Sequence, residues 1–239
     1  MTGRRRALGT AACLLMASCG ARESPRLVLI PGGRVELGSR DPASLNPPRT
    51  VTVAPFAIAA TETTVADFAR YLNDSGASPG ITPHPDLVLN SRGGWATAQG
   101  RSGLPMTHVT RAEAEAYCAW LSGKLGRRTR LPSEDEWEAA ARGGFRGAPW
   151  PWGWGDPAQR AALDRPGPSR VGTLPANPYG IHDAAGNVFE WCAGMPADGI
   201  PARGGAWSER DPSMGTVHRR VVLRADYRGA DTGFRVAAD

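Results

Sequence analysis

Apolar residues recur along this chain in short runs broken by Gly and Pro, and in three places they change to helical spacing behind a capping signal. Val28 to Ile30, Val35 to Leu37 and Val51 to Val53 read as short strands between Gly and Pro punctuation. Thr64 and Asp67 form an N-terminal capping pair, and Val65, Phe68, Ala69 and Leu72 then fall on one face, which predicts a helix ending before Gly76. Thr110 and Glu113 repeat the device, with Tyr117, Trp120 and Leu121 facing inward as far as Gly123. Pro132, Ser133 and Glu136 open a third helix whose buried stripe is Trp137, Ala140 and Ala141.

Between these elements the pattern dissolves. Residues 75–104 are dense in Gly, Pro, Ser and Asn and read as a long surface loop. From Arg146 to Pro178 there is little periodicity, and irregular structure packed by Trp150, Trp152 and Trp154 is expected. No internal repeat or heptad is present. Among 239 residues, 30 Gly, 21 Pro and 8 Trp point to many turns pinned by aromatic anchors in one domain, not to a helical bundle.

The N-terminus has a different character. Arg4-Arg5-Arg6 followed by the apolar run Ala7 to Ala17 has the order of an export signal, and it is too short for a stable membrane span. Met16-Ala17-Ser18-Cys19 resembles a bacterial lipobox, with Met16 in place of the usual Leu; a plain secretory signal is the alternative, and Arg4-Arg5 leaves the twin-arginine route open. The expected organisation is a signal over 1–18, a tether over 19–26 beginning at lipidated Cys19, and a domain over 27–239. Location in the bacterial cell envelope, facing the periplasm or exterior, follows from it.

Removing the signal takes three of the 28 basic residues with it and leaves 25 against 23 acids, so no nucleic-acid surface is implied. Lys124 is the only lysine. Cys13 leaves with the signal, and Cys118 and Cys192 remain in the domain, where they either form a disulfide or stay as two buried thiols.

Candidate chemistry centres on Gly180 to Trp191. Asp183 and Glu190 lie seven residues apart around the Gly186-Asn187 turn, a spacing that suits oxygen-only coordination of calcium; a hairpin corner with two solvated acids is the plainer reading.

Several motifs in order resemble the formylglycine-generating enzyme (sulfatase-modifying factor) family. They are Ile30-Pro31-Gly32-Gly33 through Leu37-Gly38, Pro105-Met106-Thr107-His108-Val109-Thr110 into Ala116-Tyr117-Cys118-Ala119-Trp120, and Arg130 to Gly144. Pro151-Trp152-Gly153, Gly186 to Trp191, Arg203 to Trp207 and Gly233-Phe234-Arg235 complete the series. The resemblance implies a single compact α+β domain, a C-type-lectin-like variant with little regular secondary structure. It also implies a structural calcium ion held by Asp183 and Glu190 side chains and by carbonyls of Gly186 and Val188. A second family calcium loop would fall near Leu163 and Asp164, where the segment is too short to carry it over.

The family's oxidases use two cysteines after the Arg-Gly-Gly element to bind copper(I), and soft sulfur is what that ion needs. Here those positions hold Glu209 and Met214, so neither copper nor formylglycine generation is expected. His84, His108, His182 and His218 form no HExxH pair, and no phosphate loop or nucleophile elbow is present. His108 is assigned a structural role, and His218 with Glu209 and Asp226 is a candidate cluster.

The terminal segment carries Trp207, Glu209, Arg210, Arg219, Arg220, Tyr227 and Arg228 where the family presents its substrate groove, and such residues favour interfaces. Trp207, Arg224 and Phe234 also read as fold-holding. Three functions compete: a non-catalytic calcium-stabilised binding or scaffold module, an extracytoplasmic oxidase or maturation factor using another metal, and a variable lectin-like ligand-binding protein. Partners would be a protein, a peptide or a small extracellular ligand, with the membrane engaged through lipid.

Overall fold

A computed structural model describes residues 24–196 and 199–239. The signal, Cys19 and most of the tether lie outside the described residues. The apolar opening runs become strands β1 (Leu27–Ile30), β2 (Gly33–Leu37), β3 (Arg49–Val53) and β4 (Phe56–Ala59), the last buried at every position. Helix α1 (Val65–Ser75) follows, and then β5 (Leu87–Leu89) and β6 (Trp95–Thr97) pair as a hairpin inside the stretch read as loop. Alternation over three residues is too short to stand out from the polar residues around it.

Helix α2 (Arg111–Leu125), strand β7 (Thr129–Arg130) and helix α3 (Glu134–Ala141) come next. All three helices start with reciprocal capping boxes, at Thr64 and Asp67, Thr110 and Glu113, and Ser133 and Glu136. Helix α2 runs past Gly123 and ends at Gly126, which takes the left-handed conformation of a C-terminal stop. The last strands are β8 (Phe189–Trp191), β9 (Ile200–Arg203), β10 (Arg220–Leu223), β11 (Thr232–Gly233) and β12 (Ala237–Ala238).

These strands form two four-stranded sheets, ordered β1-β4-β12-β7 and β10-β9-β8-β11, and two hairpins. The C-terminal strand β12 lies antiparallel between β4 and β7, so the chain end is locked beneath its beginning. That closure carries Phe234 and Arg235 into the interior. Phe234 stands edge-on to Tyr117 and Phe68, which in turn meet Tyr71, and Trp191 donates its indole N–H to the Val109 carbonyl at 3.0 Å. Trp120, expected inward, is only half buried.

Residues 146–178 are irregular, as their composition implies. Trp150 and Trp152 stack with parallel rings at 5.3 Å. Trp154 corrects the expectation, because it is 63% exposed and only edges against Phe145.

A second buried feature joins distant segments by charge. Glu138 accepts from Arg142 and the Gly38 N–H on one oxygen and from Asn46 and Arg203 on the other, at 2.5–2.9 Å. Burial pushes the Glu138 carboxyl up, but Arg203 and Arg142 hold it below the usual carboxylate range.

Candidate functional site

The loop from Asp183 to Glu190 is set by backbone geometry that few residues tolerate. Asp183 and Asn187 both take positive φ, 57° and 65°, and Gly186 sits at 92°. A side chain at Gly186 would also bring its Cβ to 2.3 Å from the Ala162 carbonyl oxygen. The loop is therefore folded tightly under residues 161–162, and its acids are buried instead of solvated. The solvated-corner reading is excluded by that burial.

Its polar atoms are largely engaged. One Asp183 oxygen accepts the Gly172 N–H at 2.6 Å. Asn187 accepts from Ser169 and donates to Glu62 Oε1 at 2.9 Å. Glu190 accepts from Trp137 at 2.7 Å and from both Arg235 Nε and Nη2 at 2.6 Å. A carboxylate offers about four lone-pair sites, so these three bonds leave Glu190 room for one further partner. The carbonyls of Gly186 and Val188 accept no hydrogen bond among the described residues.

Glu62 is the residue the sequence reading missed. It is fully buried, and its Oε2 has no hydrogen-bond partner. Burial and then the neighbouring Asp183 charge push its carboxyl well above the usual range, with Arg235 pulling down and Glu190 pushing up. Three carboxyls thus share one guanidinium, and a buried carboxyl raised in this way holds its proton unless a cation displaces it. Among the described residues, no three His, Cys, Asp or Glu side chains converge closely enough to hold a metal by themselves. The orphaned Glu62 oxygen, the three carboxyls facing a single guanidinium and the unused carbonyls do fit a divalent, oxygen-seeking cation. The one faint signal was position: Glu62 comes three residues after the end of the fully apolar strand β4, close behind a buried run.

The terminal surface is more divided than the sequence suggested. Trp207, half buried, donates to the Ala230 carbonyl at 3.2 Å, and Tyr227 donates to Asp231 at 3.3 Å while edging against Trp191. Ser208 also donates to Asp231, which acts on Glu209 as the nearest like charge. Burial and then Asp231 push the Glu209 carboxyl up. Trp207, Glu209, Tyr227 and the unforeseen Asp231 therefore share one face.

The arginines largely go elsewhere. Arg220 pairs with Glu134 at 2.9 Å, and Arg228 pairs with Glu113 at 2.5 Å and donates to the His108 carbonyl. Arg219 has a buried Nε without a partner, and Arg210 extends into solvent 3.9 Å from Asp164. Arg224, expected to hold the fold, is an exposed pair with Asp226. His218 lies against Thr216, with Glu138 and Arg142 as its nearest charges, so it forms no cluster with Glu209 and Asp226.

Met214 sits in a short 3-10 turn and packs partly against the main core. Of the two alternatives for the cysteines, the structure has the buried thiols: Cys118 and Cys192 are both free and belong to different core clusters. Burial pushes the Cys118 thiol up to about 12 and Cys192 well above its ordinary value, which leaves both as inert thiols. Neither should react with a thiol-specific disulfide reagent in the folded protein, and both should react once denatured. Fast titration of either native thiol would contradict this burial.

The ordered motifs now have one frame around them, and comparison with known proteins names it. The family model for the sulfatase-modifying factor enzyme 1-like domain matches residues 15–239. The chain belongs to that family. Mouse inactive C-alpha-formylglycine-generating enzyme 2 is 31% identical over 278 residues, covering 92% of this chain and 87% of that protein. The formylglycine-generating enzyme of Thermomonospora curvata is 29% identical, covering 91% of this chain and 96% of the enzyme.

The solved structure of PvdO from Pseudomonas aeruginosa aligns with a TM-score of 0.76 at 27% identity, covering 92% of this chain and 96% of PvdO. Treponema denticola variable protein 1 aligns with a TM-score of 0.72 at 24% identity, covering 89% and 94% of the two chains, and shows the shared fold alone. The single α+β sulfatase-modifying-factor fold expected from the motifs is the fold observed.

Proposed function

We propose that this sulfatase-modifying-factor domain is a non-catalytic binding or scaffold module, stabilised by calcium and carried outside the cytoplasm on a lipid attached at Cys19. The observation that carries the first part is chemical: Glu209 and Met214 stand at the copper-binding thiol positions, and the remaining thiols of the domain are buried in separate parts of the core. Soft-metal redox chemistry through a thiolate pair therefore has no donors. Likeness to a formylglycine-generating enzyme called inactive supports the same reading.

Calcium would be held by Asp183, Glu190 and the carbonyls of Gly186 and Val188, with Glu62 added as a third carboxylate. Its role would be to neutralise the buried acids and fix the loop beneath β8. The binding face is the surface of Trp207, Glu209 and Tyr227 around Asp231, suited to a protein, a peptide or a small extracellular ligand. Among the described residues no helix is long and apolar enough to cross a membrane, so anchoring would depend on the lipid.

Three measurements test the proposal. Elemental analysis of protein purified without chelator should find about one calcium per chain and no stoichiometric copper or iron. Oxygen uptake with a cysteine-containing sulfatase peptide should stay at background, and turnover in that assay would overturn the non-catalytic reading. Mass analysis of the mature N-terminus decides the lipid at Cys19.

A further inference from the structure

A cavity of about 630 Å³ lies between the start of α1 and residues 170–172. It is lined by Arg26, Arg70 and Arg170 and by Tyr117, Val171 and His182, with Glu62 and Asp67 as its acids. Arg70 is paired with Asp67 at 3.4 Å. The side chains of Arg26 and Arg170 have no hydrogen-bond or ion-pair partner among the described residues. Two unpaired guanidiniums thus share one concavity of a size that suits a small molecule.

The Val171 N–H donates to the Gly103 carbonyl at 3.0 Å, and the exposed Arg170 guanidinium lies over Gly103, where a Cβ would stand 2.6 Å from its Nη2. A planar donor fork at the rim of a partly apolar cavity is matched by the paired oxygens of a carboxylate or phosphate.

We propose that this cavity binds a small organic anion, with a carboxylate or phosphate on Arg170 and Arg26 and an apolar body along Val171 and Tyr117. The same chemistry is offered by a soluble metabolite and by an anionic lipid headgroup. The inference rests on the proposed calcium, which would offset the Glu62 charge lining the cavity; the calcium content of the titrated sample separates failure of one from failure of the other.

The test is a titration of the full domain with phenyl phosphate, using benzyl alcohol as the neutral control and calcium present throughout. Backbone amide shifts at Gly103, Val171 and Gly172 report the site. Saturable shifts with phenyl phosphate and none with benzyl alcohol are expected. Arg170→Ala should weaken binding at least about tenfold, the loss of one charge-assisted contact. Gly103→Ala should weaken it too, since the nearest atoms its new methyl meets belong to the flexible guanidinium. Vesicles of phosphatidylglycerol form the second arm, and Arg170-dependent sedimentation without phenyl phosphate binding assigns the anion to a lipid. Equal binding of benzyl alcohol, binding unchanged in Arg170→Ala, or no binding in either arm would overturn the proposal.

Discussion

Stripping calcium with a selective chelator is expected to lower the unfolding midpoint by roughly 5–10 °C relative to protein in calcium at a hundredfold excess over its dissociation constant. A ligand bound only by the folded state at that excess contributes about 2.7 kcal/mol. A domain of this size shifts by roughly 2–4 °C per kcal/mol. The reason lies in Glu62, Asp183 and Glu190, three buried carboxyls that would all be ionised around the cation while Arg235 alone faces them. Glu62→Gln keeps the shape and the Asn187 contact while removing one charge, so the calcium-induced shift should fall by more than half. Identical midpoints for wild type in calcium and in chelator would remove calcium from the account of this fold.

Glu138→Ala is expected to destabilise the domain by about 3–5 kcal/mol, because it leaves the Arg142 and Arg203 guanidiniums buried without their shared counter-charge. Thermal or urea unfolding measures this, and Arg224→Ala, at a solvated pair with Asp226, serves as the control with no shift. The same carboxylate predicts an acid response. Its folded pKa lies below the ordinary glutamate value, so its stabilisation is fully present above that ordinary value and is lost as pH falls through the lower folded pKa. Glu136, held down by Arg130 against its own burial, acts in the same direction. A midpoint that rose on acidification below pH ~4.5 would contradict the sign of this linkage.

What could be read in the chain were the features whose causes are local. Each helix start was visible because a capping box needs only residues three apart, and the observed starts at Val65, Arg111 and Glu134 follow it. The end of α2 was misplaced because Gly123 and Gly126 are equally able to stop a helix, and packing chose the second. The ordered motifs placed the chain in its family, and the absent thiols at 209 and 214 are a fact of sequence alone.

Folding decided the rest, through contacts between segments far apart in the chain. Glu62 joins the buried acids Asp183 and Glu190 only because the chain before β12 seats Arg235 beside Ala59 and Ala60 while Asn187 reaches across to it. Arg220 and Arg228 look like binding residues until α3 and α2 supply Glu134 and Glu113 as partners. Trp154 looks like a packing residue until Trp150 and Trp152 stack without it. Composition and spacing determined which chemistry the chain can offer, because donors and caps are local properties. Which acid is left without a partner and which guanidinium stays free were settled only in three dimensions, since the pairing of a buried charge depends on what the fold brings next to it.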